Sequence, residues 1–281
     1  MSAARFSADW LGLREPFDAT ARDKAATRLC LGTRLAALRP PPGIPWRVID
    51  LACGTGANLR WLAPRLGGPQ EWLMVDHDDG LLRQVRHAVA GVSIVRQRLD
   101  LMTSLDTLPW HAAHLVTASA LLDLVGNPWL HRLVAICASA RVPLLLALSV
   151  DGRHIWSPED ALDAQIAALF AAHQRRDKGL GPALGSQAVA TLRSALRDAG
   201  YGVVQARSDW RVDGRRSAAD APLLKSLIDG MADAAMEQDP GQATALRGWQ
   251  SRRLARVVQT RLRVGHVDVL AWPSASGRAE P

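Results

Sequence analysis

The sequence predicts an α/β fold, a doubly wound and mostly parallel seven-stranded sheet, from three observations. From Trp46 onward short apolar runs alternate with helical segments. The first run, Val48-Ile49-Asp50-Leu51, leads through the glycine-bearing loop Ala52-Cys53-Gly54-Thr55-Gly56 into a helix, and acids stand at the ends of three successive runs, at Asp50, Asp76 and Asp100. Alternating strands and helices place helices on both faces of a parallel sheet, whose strands are then apolar on both sides. A chain of 281 residues that is 48% hydrophobic can bury a substantial core in one or two domains.

Residues 8–39 have helical spacing, with Leu29, Leu35 and Leu38 among alanines, and stop at Pro40-Pro41-Pro42-Gly43, through which no helix continues. Residues 1–45 are therefore expected to form a helical extension ahead of the core. Apolar runs then predict strands near 46–51, 71–76, 92–97, 114–120, 143–149 and 202–208, and a last one near 262–271. One helix is expected to start at Ser157-Pro158-Glu159-Asp160, where a cap, a proline and early acids coincide, and to end at Gly179. Another has Ser186 as its cap, Val189, Leu192 and Leu196 on one face, and Gly200 as its terminator. The stretch 211–260, with helical periodicity at Leu223, Leu224, Leu227 and Ile228, is far longer than a hairpin connection and reads as a helical insertion before the last strand, shaped to act as a lid. On this division 46–210 is the core, 261–273 its last strand and 274–281 a polar tail.

A net charge of +7 raises nucleic acid as a partner, but 31 of the 34 basic residues are Arg, beside heavy use of Ala, Leu and Gly, and they are spread along the chain. That pattern reads as a compositional bias and ranks nucleic acid below a small molecule. Cys30, Cys53 and Cys137 are an odd, widely spaced set without a CxxC pair, which argues against a disulfide framework and a zinc site, and no metal is expected. The longest apolar run, Val142 to Val150, is well short of the ~20 residues of a membrane span, and Met1 to Glu15 holds no signal-peptide core. The expected compartment is the cytoplasm.

The loop after the first strand is a place where backbone N–H groups meet a nucleotide-like ligand, with glycine allowing close approach. Asp50 narrows the choice: a carboxylate repels a pyrophosphate and attracts an amino-acid ammonium, which favours S-adenosylmethionine (SAM) over a dinucleotide. Here the chain resembles the class I SAM-dependent methyltransferases, whose first motif is an acid followed at alternate positions by three glycines. In this chain it reads Asp50, Ala52, Gly54 and Gly56, with Ala in the first glycine slot. The resemblance implies that Ala52 to Gly56 pass beside the methionine part of the cofactor and that Asp50 meets its ammonium. Asp76, 26 residues further on, would accept the ribose hydroxyls, with His77 beside the adenosine; Asp100 would accept the adenine amino group, with the Leu101 N–H near a ring nitrogen.

On the substrate side, the fourth strand runs from His114 to Asp123 and lacks the Asn-Pro-Pro-Tyr or Asp-Pro-Pro-Tyr signature of methyltransferases acting on planar nitrogens. Ser119 and Asp123 are its polar exceptions. Ser119 falls among the cofactor contacts; Asp123 is either a group that orients or deprotonates the acceptor or a helix-start acid. His173 shares a helical face with Ile166, Leu169 and Phe170, as a satisfied half-buried side chain or as a base facing the methyl site. Arg176 and Lys178, before the loop Gly179 to Gly185, are candidates for substrate contact. So are Arg14 and Arg22, which could clamp a carboxylate or phosphate, or could be ion-paired charges of an amphipathic helix. Trp249 with Arg252, Arg253 and Arg256 is either a basic aromatic face for nucleic acid or a solvated helix with one anchoring Trp. The leading expectation is methyl transfer to a small anionic metabolite. Methylation of RNA or a ribosomal component, and a SAM-fold binding protein without catalysis, stand as alternatives.

Overall fold

The computed structural model describes residues 6–177 and 181–274. Two helices, α1 (Ala8–Arg28) and α2 (Leu31–Ala37), precede the sheet; Ser7 caps α1 through its side chain, and Cys30 in the left-handed region separates the two. The chain then alternates β1 (Trp46–Leu51), α3 (Ala57–Leu66), β2 (Gln70–Asp76), α4 (Asp79–Leu82), β3 (Val92–Arg98), β4 (Leu115–Ser119), α5 (Asn127–Ala140) and β5 (Leu144–Ser157). It continues through α6 (Asp163–Gln174), α7 (Ala188–Asp198), β6 (Tyr201–Arg207), β7 (Trp210–Asp213), α8 (Asp220–Gln238), α9 (Ala243–Ala255) and β8 (Arg261–Pro273).

Across the sheet the order is β3-β2-β1-β4-β5-β8-β6. The first five strands pair in parallel, and β8 runs antiparallel between β5 and β6. The fold class is the α/β, mostly parallel sheet that the alternation predicts, but among the described residues it has eight strands rather than seven. The additional strand is β7, which continues β6 along the same neighbour, pairing Trp210 with Val264 after a kink at Ser208 and Asp209. Ser208 holds the kink by taking the His266 carbonyl with its N–H.

Both faces of the sheet are apolar. Ile49, Leu51, Val116 and Leu146 pack under α5 and α7, whereas Trp46, Val48, Met74 and Leu270 pack under α1, α2 and α3. Burial on two sides explains why these strands read as continuous apolar runs. A third cluster lies beyond the sheet's carboxyl edge, where Trp156, Trp210, Val212 and Val264 meet Phe17 of α1 and the helices α6, α8 and α9.

That third region departs most from the sequence reading. Strand β5 does not stop at residue 149 but continues to Ser157, through two register shifts, because its second half pairs with the first half of β8. Ser157 and Pro158 therefore end a strand, and α6 begins only at Asp163. Asp160 and Asp163 still cap locally: the Leu162 N–H donates to Asp160 and the Asp160 N–H to Asp163. Ser186 sits in a 3-10 turn, and α7 starts two residues later. Among the described residues, no helix is long and apolar enough to cross a membrane.

Candidate functional site

Strand β1 ends in a loop built by alternating left-handed residues, with φ 51° at Ala52, 54° at Gly54 and 82° at Gly56. Glycine adopts this region without strain, and alanine at Ala52 does so at a cost of roughly 1–2 kcal/mol. The backbone path therefore keeps the glycine-type turn despite the substitution. Space also demands glycine: a Cβ at Gly54 would lie 3.0 Å from Leu11 of α1, and one at Gly56 would lie 2.9 Å from Val85. Helix α1 therefore roofs the loop directly. Two bidentate-like contacts of 2.6 Å from Arg60 of α3 to Glu15 hold it there.

Beneath this roof is a cavity of about 550 Å³. Asp50, Ala52, Cys53, Gly54, Asp76, His77, Asp100, Leu101 and Ser119 face it, so most of the residues expected at the cofactor come together. Parallel strands bring them there, because β1, β2, β3 and β4 all end at one edge of the sheet. Asp76 is held by the Gly54 N–H at 2.8 Å and the Asp78 N–H at 2.9 Å, one on each carboxylate oxygen. Each oxygen keeps a lone pair for a further donor. His77, half exposed, lies 3.3 Å from the same carboxylate, and Asp100 accepts from the Met102 N–H at 2.8 Å. Gly56 shapes the turn without facing the cavity.

Asp50 is fully buried. Asn58, in the first turn of α3, donates to its Oδ1 at 2.7 Å and to the Thr117 hydroxyl at 3.1 Å, and accepts at 2.7 Å from Arg22 of α1. The Asp50 Oδ2 has no partner. Burial pushes the Asp50 carboxyl up to about 7, against the pull of the Asn58 hydrogen bond and Arg22. An orphaned buried carboxylate oxygen on the wall of a cavity fits a cationic ligand group.

Arg22 does not reach this cavity. It lies 2% exposed against the Trp61 ring at 3.8 Å and 3.7 Å from Asp268 of β8, and lines a smaller adjoining cavity of about 240 Å³. Sequence reasoning missed Asn58, Thr117 and Asp268; Asn58 and Thr117 are polar residues at otherwise apolar positions beside the motif, which is a usable signal.

The same cavity is lined by the apolar Phe6, Leu11, Leu121 and Leu124, by Arg14 with Asp18, and by Arg98. Arg14 pairs with Asp18 at 2.9 Å and lies over the Trp210 ring at 5.3 Å. Behind it Trp210 packs 4.8 Å from His266, whose pKa is held down to about 3, mainly by burial and then by Arg14, so the imidazole is neutral.

Three further expected site residues, Asp123, His173 and Arg176, lie elsewhere. Asp123 is buried in the turn 122–124 and does not line the cavity, although Leu121 and Leu124 do. His173 contacts Glu237 of α8 at 3.1 Å, and Arg176 donates to the same carboxylate at 2.7 Å. Both are tied to this largely exposed carboxylate near the end of α8, and neither lines the cavity. Lys178 lies outside the described residues. The insertion also contributes no cavity-lining residue; the roof is α1.

The aromatic and arginine set in α9 is internal. Trp249 is fully buried and donates to Asp163 at 2.8 Å, Arg253 is sandwiched between Trp156 and Trp249 and pairs with Asp163, and Arg252 pairs with Asp160. A buried indole offers no face for stacking a base.

Residues 48–143, from β1 to the approach of β5, match the family model of a methyltransferase domain. By this match residues 48–143 are a methyltransferase domain, and the sheet order and the loop are consistent with the class I, SAM-dependent type. A search of curated protein sequences returns no match. Solved structures overlap it loosely. The cyclopropane synthase MmaA2 of Mycobacterium tuberculosis is 10% identical with a TM-score of 0.41, covering 84% of this chain and 83% of its own. Phosphoethanolamine N-methyltransferase 2 of Haemonchus contortus, bound to SAM, is 11% identical with a TM-score of 0.42, covering 87% of this chain and 52% of its own. A SAM-dependent methyltransferase of Thiobacillus denitrificans, bound to S-adenosylhomocysteine, is 19% identical with a TM-score of 0.38, covering 85% of this chain and 89% of its own. Overlaps this loose say nothing about the acceptor.

Proposed function

We propose that the protein transfers the methyl group of SAM to a small acceptor bearing an anionic group, inside the cavity under α1. The observation that carries this reading is the mixed lining of that cavity: besides the strand-end acids it has the apolar side chains of Phe6, Leu11, Leu121 and Leu124 and two guanidiniums, Arg98 and the Asp18-paired Arg14. Asp50 would receive the ammonium on its orphaned oxygen, Asp76 the ribose hydroxyls and Asp100 the adenine amino group. Ala52, Gly54 and Ser119 would border the methionine part, with His77 and Leu101 beside the adenosine. When bound, SAM supplies an electrophilic methyl group open to direct in-line displacement. The chain's part is to orient the acceptor: Phe6, Leu11, Leu121 and Leu124 exclude water, and Arg14 holds the anion.

In this reading residues 1–45 are a helical extension that closes the site, 46–210 with 261–273 form the catalytic core, and 211–260 brace the extension of β5 and β8. An RNA substrate is disfavoured by the burial of Trp249 and Arg253. The test is formation of S-adenosylhomocysteine from SAM with metabolite extracts. Turnover with extract, its loss in Arg14→Gln through a raised KM, and no turnover with bulk tRNA are expected. Turnover with tRNA alone would replace the small-molecule reading by the RNA one. Binding of SAM with no turnover on any extract would leave a binding protein.

A further inference from the structure

The buried floor under Asp50 carries more acid than base. Asp18 and Arg22 face it from α1, Asp76 from β2, Asn58 from α3, Thr117 from β4 and Asp268 from β8, with the Cys53 thiol in the loop between. Arg14 answers Asp18 directly, and Asp18 also accepts from the Trp210 indole at 2.9 Å. That leaves Arg22 as the cation shared between Asp50 and Asp268. It is not spent on either one: Asp268 lies 3.7 Å from its Nε, Asp50 is reached only through Asn58, and its Nε and Nη2 make no hydrogen bond. Asp268 is occupied on its other oxygen by the Leu148 N–H at 2.8 Å and the Ser208 hydroxyl at 2.5 Å, which fixes it in place.

We propose that Arg22 is the positioning residue of the cofactor acid, and that capture of a cationic ligand group at Asp50 expels a proton from this buried cluster. The Asn58 carboxamide is the link. Its oxygen is taken by Arg22, so its NH₂ must face Asp50 and Thr117, and Asp50 is left with one oxygen directed at the cavity. Without a ligand cation, one guanidinium cannot offset two buried carboxylates, and burial keeps the proton on an acid. A ligand ammonium beside Asp50 supplies the missing charge and the proton leaves to solvent. Both Asp50 and Asp268 are shifted upward, chiefly by burial, in keeping with this arrangement.

The inference rests on the methyltransferase reading of the cavity, and calorimetry separates the two. Wild-type protein is titrated with S-adenosylhomocysteine, which carries the same ammonium, in buffers of different ionisation enthalpy from pH 5.5 to 7.5. Close to one proton should be released at the acid end and about half near pH 7, and Asp50→Asn should release none. Arg22→Gln should move the midpoint of proton release upward and Asp268→Asn downward, each by at least about half a pH unit. Opposed shifts cannot come from a general loosening of the fold. Binding without proton release, or shifts of the same sign in the two variants, overturns the proposal alone. Absence of binding by wild type at every pH overturns the cofactor reading and this inference with it.

Discussion

Two arginines in this molecule are buried against tryptophan beside an aspartate, and they differ in how completely their charge is answered. Arg253, in the cluster beyond the sheet edge, pairs with Asp163, donates to the Pro158 carbonyl at 2.8 Å, lies over two indoles and leaves one nitrogen, Nε, without a hydrogen bond. Arg22, under the cofactor loop, lies on one indole, keeps Asp268 at 3.7 Å and leaves two nitrogens without hydrogen bonds. The first is a closed ion pair that ties α6, α9 and β5 together. The second is an open one, which leaves room for a ligand's charge. A buried cation thus locks a fold or serves a site according to how closely its partners already answer it.

The largest expected effect tests the lock. Arg253→Met takes the charged partner from a largely buried ion pair and leaves Asp163 to the Trp249 indole and the Asp160 N–H, and it should destabilise the protein by about 3–5 kcal/mol in urea unfolding, without changing cofactor affinity per folded molecule. An affinity loss as large as the stability loss would erase the contrast between the two arginines.

Asp50→Asn tests the open centre. A carboxyl raised to about 7 from its ordinary 3.8 gives the folded state more bound protons than the unfolded one between those values. Its contribution to stability is therefore present at acid pH and lost as pH rises toward 7. The Asn variant should accordingly be more stable than wild type at pH 8, by up to roughly 4 kcal/mol, with no difference at pH 4. Equal melting temperatures at both pH values would show that Asp50 ionises freely. Next in size, Asp76→Ala removes the partner of two backbone N–H groups and should weaken SAM binding by roughly 1–3 kcal/mol in calorimetry. Unchanged affinity would mean that the ribose lies elsewhere. The smallest effect is at the rim of the closed cluster: Arg252→Ala, losing only an exposed pair with Asp160, should leave the urea midpoint unmoved.

The same contrast sets how much could be read in advance. Asp50, Asp76 and Asp100 were legible because each ends a strand made of local apolar sequence, and parallel strands bring their ends to one edge. The closed cluster was not, because the stretch Val150 to Ser157 contains Gly152 and ends before Pro158, and only pairing with β8 makes it a strand. Its helices then draw His173 and Arg176 toward Glu237 and away from the cavity. Arg22 was legible as a charge on a helix but not as a buried one. Its surroundings come from Trp61 and from Asp268 on a distant strand, a meeting no local pattern encodes.

Strand β8 has a kinetic consequence. It wedges between β5 and β6, and its Ala271 pairs with Leu144, more than a hundred residues earlier in the chain. Pairings of such long range form slowly, because loop closure must precede the contacts that reward it. The block from β1 to β5 can therefore collapse first, while Asp268 and the seat of Arg22 arrive only with β8. The capacity to hold an ammonium at Asp50 then becomes a clock: in a refolding experiment, ligand binding should appear after the bulk of the helical signal, marking the moment the last strand slides home.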